Sequence, residues 1–228
     1  MAYTTINKST DYFNTKLYTG NGSTNAVTGV GFAPDFVWIK ERTSTSSNVL
    51  GTTVQGTTKR LQSDTTSAEG TLTNIFTSYD SDGFTHGNDA GVNESGQTYA
   101  SWNWKANGAG SANTDGSINT TYTSVNTTAG FSISTYTGTG SNATVGHGLG
   151  VAPKMIIIKN LSASQGWCIY HESIGATKFL SLNSNDAQVT ASDRFNNTSP
   201  TSSVFSVGSH ADTNGNGNNM IAYCFAEK

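Results

Sequence analysis

The chain has 228 residues, a net charge of −3 and 12% charged side chains, about half the roughly 25% usual in soluble domains. So little positive charge excludes a phosphate-neutralising nucleic-acid surface, and so little charge of either sign excludes a solvated, disordered tail. The polar complement is Thr, Ser, Asn and Gly, with 25 glycines against 3 prolines, which favours strands joined by turns that need positive φ.

In chain order, the opening "MAYTTINKSTDYF" has no basic region followed by an apolar stretch, so no secretory signal is expected. "FNTKLYTGNGS" (13–23) reads as a strand that runs into a Gly turn. "GFAPDFVWIK" (31–40) places Pro34 at a strand entry, where a fixed φ and a missing donor do no harm. "NIFTSY" (74–79) alternates like a strand, and "YDSDGF" (79–84) supplies a tight turn through Asp82-Gly83. In "YASWNWK" (99–105) the alternation puts Trp102 and Trp104 on one strand face. "ANGAGSANTDGSI" (106–118) has the composition of a linker.

The second half then repeats the first. "YTTIN" (3–7) returns as "YTSVN" (122–126), "YTGNGS" (18–23) as "YTGTGS" (136–141), and "GFAPDFVWIK" as "GVAPKMIIIK" (150–159). "FTHG" (84–87) is answered by "FSVG" (205–208), and "ASWNWK" (100–105) by "IAYCFA" (221–226). The near-constant offset implies two homologous units, 1–105 and 119–228, joined by the 106–118 linker. Each is long enough for its own core. Short strands punctuated by turns, with no sustained helical period, predict an all-β fold of two tandem homologous β-sandwich, jelly-roll-like domains. The longest apolar run, "MIII" (155–158), is far short of a membrane span.

Chemistry is sparse. His86, His147, His171 and His210 stand singly, without metal-ligand spacing. Asp80 and Asp82 straddle a turn rather than a cleft, so turn chemistry accounts for them better than a glycosidase pair. "DTNGNGN" (212–218) opens like a calcium loop, but the twelfth position is Tyr223 and one carboxylate is little charge for a hard cation. Cys168 and Cys224 are read as buried free thiols, with a disulfide between them as the alternative. With no secretory signal expected, the Asn-x-Ser/Thr sequons at Asn21, Asn142 and Asn160 are by-products of composition. Trp38, Trp102, Trp104 and Trp167 suggest a sugar platform. The aromatic bulk kept at Tyr223 and Phe225 argues instead that Trp102 and Trp104 pack a core.

The phrases "KLYTGNGS", "GFAPDFVWIKER", "YDSDGF" and "YASWNWK", followed by "GFSISTYTGTGS", "VGHGLGVAPKMIIIKN", "GWCIYHE", "SPTSSVFSVG" and "MIAYCFAEK", resemble a repeat domain of virion proteins from marine bacteriophages. Phages of cyanobacteria and of other abundant ocean bacteria (cyanophage and pelagiphage types) are among them. The resemblance covers almost the whole chain in both repeats. It implies β-rich modules of structural or tail-fibre-like proteins, with no catalytic, cofactor-binding or metal-binding residues. The expected role is a capsid-surface decoration or accessory component of the virion, assembled in the host cytoplasm. Its expected partners are other virion proteins and its own copies, with no nucleic acid and no membrane. The alternative is a tail-fibre or tail-tip module that recognises host surface glycans through the loops at 88–97 and 209–219.

Overall fold

The computed structural model describes residues 6–228; of the matched phrases, residues 3–5 lie outside them. The chain divides into two compact units. The first runs through Thr65 and includes Glu69–Gly108; the second comprises Thr66–Ala68 and Ala109–Lys228. Strands dominate both, and every pair of named strands is antiparallel.

The first unit contains β1 (Phe13–Thr19), β2 (Asn25–Thr28), β3 (Phe36–Glu41), β4 (Val49–Thr52), β5 (Lys59–Arg60), β6 (Gly70–Thr71), β7 (Ser78–Asp80), β8 (Gly83–His86), the one-turn helix α1 (Ala90–Asn93) and β9 (Thr98–Trp104). Strands pair in the order β1-β9-β3-β4 in one sheet and β2-β8-β7 in another, with β5 and β6 as a short ribbon. Val37, Ile39, Val49 and Tyr99 of the larger sheet share a buried cluster with Val27 and Phe84 of the smaller one and with Ile75, Phe76 and Val92. Complete burial of a Phe or Ile side chain is worth about 1.5–3 kcal/mol, so this cluster dominates the unit's stability.

The second unit contains β10 (Thr120–Asn126), β11 (Phe131–Thr137), β12 (Ala143–Gly146), β13 (Met155–Asn160), β14 (Trp167–His171), β15 (Lys178–Ser181), β16 (Val189–Thr190), α2 (Ser192–Phe195), β17 (Val204–Val207), α3 (Ala211–Asn214) and β18 (Asn219–Phe225). Its large sheet runs β10-β11-β18-β13-β14-β15-β16, and β12 pairs with β17. Ile156, Ile158, Cys168, Ala222 and Cys224 pack with Val145, Phe205 and Val207 in its core. The order β11-β18-β13-β14 repeats β1-β9-β3-β4, and β12-β17 repeats β2-β8.

Two local expectations change. "NIFTSY" is not one strand: β7 covers only its end and Asp80, while Ile75 and Phe76 plug the core from a loop. The adjoining hairpin closes on the Asp80–Gly83 pair, so Ser81 and Asp82 are its turn residues. The division between the two units falls inside the 106–118 stretch, after Gly108, and residues on both sides of it make contacts. The Ala106 and Gly108 amides donate to the buried Asp35 carboxylate at 2.6 and 2.8 Å, Ser111 bridges Thr123, and Ile118 is buried.

Candidate functional site

Each copy of the repeated YTGxGS phrase grips a short helix. In the first unit the Tyr18 hydroxyl donates to Val92 O at 2.8 Å, and the amides of Asn21 and Gly22 donate to Asn93 Oδ1 and Asn93 O. Asn93, fully buried, donates through Nδ2 to Gly87 O, to Asn21 Oδ1 and to Ser23 O. The second unit builds the same clasp. Tyr136 donates to Thr213 O, the Thr139 and Gly140 amides donate to Asn214 Oδ1 and Asn214 O, and Asn214 Nδ2 donates to Gly208 O and Ser141 O. Gly20 and Gly138 are required by close approach: a Cβ there would lie 2.2 Å from Glu94 O and 2.3 Å from Gly215 O. Gly22 and Gly140 both adopt φ of 67°. These buried amides went unread in the sequence; the signal was Asn at matching places in "HGNDAGVN" (86–93) and "VGSHADTN" (207–214).

The clasp also absorbs the calcium-like stretch. Asp212 pairs with Arg194 Nε at 3.2 Å and lies beside His210, while Asn214 belongs to the clasp. Among the described residues no cluster of three or more His, Cys, Asp or Glu is arranged to hold a metal. The other titratable candidates hold turns and strand ends or lie in the core. Asp82 accepts from the Gly29 and Gly31 amides, which lower its pKa, and Asp80 accepts from the Thr85 hydroxyl. His147 Nδ1 accepts from the Leu149 amide, and His171 Nδ1 from the Ser173 amide. His86 is buried against the rings of Tyr18 and Phe84, and burial lowers its pKa to about 4. Cys168 and Cys224 are free and buried; burial pushes both thiols up, Cys224 to about 12.

The tryptophans are where the structure corrects the sequence reading. Trp102 and Trp104 do share a face of β9, but the buried residues of that strand are Tyr99, Ser101 and Asn103. The indoles lie on the opposite face, partly exposed. Register sets the neighbours: Phe13, Trp104 and Phe36 form one cross-strand row, and Thr15, Trp102 and Trp38 the next. Trp104 packs against Phe13 and Phe36, 4.8 Å from each ring centroid. Trp38, Asn48, Trp102 and Trp104 line a cleft of about 290 Å³. The Trp38 indole N–H donates to Asn48 Oδ1 at 3.1 Å, and the Asn48 backbone N–H donates to Asp64 Oδ1. Lys40 lies on the same strand face, but its Nζ donates to Ser44 O and Ser46 O. The cleft therefore offers indole faces and one amide, without a lining charge.

The geometry defines antiparallel β-sheets in each unit, with an open aromatic cleft on the first. The chain belongs to a domain family of unknown function (DUF7483), whose profile matches residues 8–228 and so runs through both units. No curated protein and no solved structure matches it.

Proposed function

We propose that the chain is a non-catalytic structural protein of a bacteriophage particle, built as two tandem homologous β-sandwich units of jelly-roll-like arrangement. In this reading it is a decoration or accessory component of the capsid surface, acting through packing against other virion proteins and its own copies. The observation that carries the reading is the doubling of one scaffold, strand order and Asn-centred clasp together, within a single chain. Two like units offer two like packing surfaces, which suits a lattice of repeated contacts. The polar groups of the clasps bond to one another, which keeps the turns rigid at a particle surface.

A second reading, a tail-fibre or tail-tip module for host surface glycans, is favoured by the open tryptophan cleft. The loops at 88–97 and 209–219 are weaker candidates for that role, since α1 and α3 within them are clasped to the scaffold. Copy number decides between the readings. Quantitative mass spectrometry of purified particles is expected to count hundreds of copies; about a dozen or fewer, the count of a symmetric tail assembly, would move the protein to the tail.

A further inference from the structure

Register alignment of the two units shows what the cleft lacks. Trp38 stands where the second unit has Ile157, and Trp102 where it has Tyr223. Carried one step past the last β3–β4 pair, Ile39 with Val49, the register brings Asn48 to Lys40, as Trp167 pairs with Lys159 in β13–β14. Trp167 is buried and stacks on Tyr223, with 6.4 Å between ring centroids. The second unit thus fills this place with its own indole. The first carries a short amide there and is left with the cleft.

We infer that the cleft is a binding site for a neutral saccharide, with one sugar ring occupying the place that the Trp167 indole takes in the second unit. Size comes first: about 290 Å³ lies just under the range of roughly 300–1,000 Å³ for small-molecule sites. Only one or two rings fit. Shape follows from the lining, since indole faces accept a flat ring and their negative π-clouds attract the polarised C–H groups of a sugar. Polarity then separates a sugar from an aromatic guest. An indole N–H is donor only, so the atom of Asn48 that faces Trp38 is Oδ1, and Asn48 offers a ligand its Nδ2 donors. An apolar ring would bury those donors unpaired, at a cost of about 1–3 kcal/mol, whereas a hydroxyl pairs them. With Lys40 engaged by the loop carbonyls and no carboxylate in the lining, the ligand is uncharged. The inference does not depend on whether the protein sits on the head or the tail, which copy number tests separately.

The test uses the full chain with ¹⁵N-labelled indoles, titrated with neutral β-linked disaccharides of glucose, galactose and N-acetylglucosamine. At least one sugar is expected to shift the Trp38, Trp102 and Trp104 indole signals saturably, with a Kd of about 1 mM or tighter. The Trp167 signal should stay in place because its ring is buried. Asn48→Trp installs the plug of the second unit, and Trp102→Ala removes a stacking face. Each is expected to weaken binding at least about tenfold while the remaining spectrum stays dispersed. Asn48→Ala, which removes only the donors, serves if the larger residue disturbs the fold. No indole shift with any sugar at about 10 mM, tenfold above that Kd, overturns the inference. So does sugar binding that survives in Asn48→Trp. Shifts that follow protein concentration without sugar would assign the face to a second copy of the chain, which also overturns it.

Discussion

Trp104 stands between Phe13 and Phe36 yet keeps part of its surface in water, whereas Trp167 is 1% exposed. Their truncations should therefore differ. Emptying a large buried aromatic site costs about 3–5 kcal/mol, and that is the loss expected for Trp167→Ala in urea denaturation. Trp104→Ala forfeits the contacts with Phe13 and Phe36 and the burial of a partly exposed ring, so a smaller loss, about 1–2 kcal/mol, is expected. Equal losses would return Trp104 to a core role. The sequence showed that Trp102 and Trp104 share a face, because strand side chains alternate with period two. It did not show which face is covered. On β9 the covered face carries Ser101 and Asn103, and Asn103 Nδ2 reaches Asn14 O and Ser101 Oγ. The bulk of Tyr223, matched to Trp102, pointed to a core because in the second unit that position is indeed buried.

At the scale of elements, the clasp explains why one phrase is written twice. A helix of a single turn has too few internal hydrogen bonds to hold itself. Asn93 and Asn214 provide the missing hold by tying α1 and α3 to the turn after β1 and β11. Gly20→Ala would drive a Cβ into the carbonyl of Glu94, where neither backbone can yield cheaply, and about 2 kcal/mol or more of stability should be lost. Gly96→Ala is the control. Its φ is +80° but nothing lies within 4 Å, so the left-handed backbone alone costs about 1 kcal/mol. Thermal denaturation of both variants checks the order; a reversed order removes the clasp from the account. The strands entered through Gly-x-Ala-Pro were legible in advance, since β3 and β13 each begin two residues after the proline. "NIFTSY" was misread because its alternation stops mattering where Ile75 and Phe76 enter the core from a loop.

At the scale of the whole molecule, each unit holds a buried histidine whose pKa burial lowers, His86 in the first and His147 in the second, so both should lose stability in acid. Folding buries neutral His86 in the first unit and lowers its pKa to about 4, against about 6.5 when unfolded. Between those values the unfolded state binds more protons, so stability rises with pH. The contribution is complete above pH 6.5 and is lost as pH falls towards 4, a change on the order of 3 kcal/mol. Asp35 opposes it in the same unit, because burial raises its pKa and acidification relieves that cost. His86→Val, the residue at the matching Val207, isolates the histidine. Urea unfolding from pH 7 to pH 4 should show a weaker acid loss in the variant than in the native chain, and parallel curves would exclude His86 as the cause.

Local chemistry is what the sequence determined alone: a β-rich chain written in two halves, Gly-dependent turns, proline-led strands and indoles paired on one face. Each follows from φ preference or from period-two geometry, which act within a few residues. Only the tertiary structure decided which face of each sheet is covered, that Asn93 and Asn214 anchor the turns, and that Asn48 leaves open the place filled by Trp167. Burial depends on what packs against a residue from far along the chain, and no local pattern carries that information.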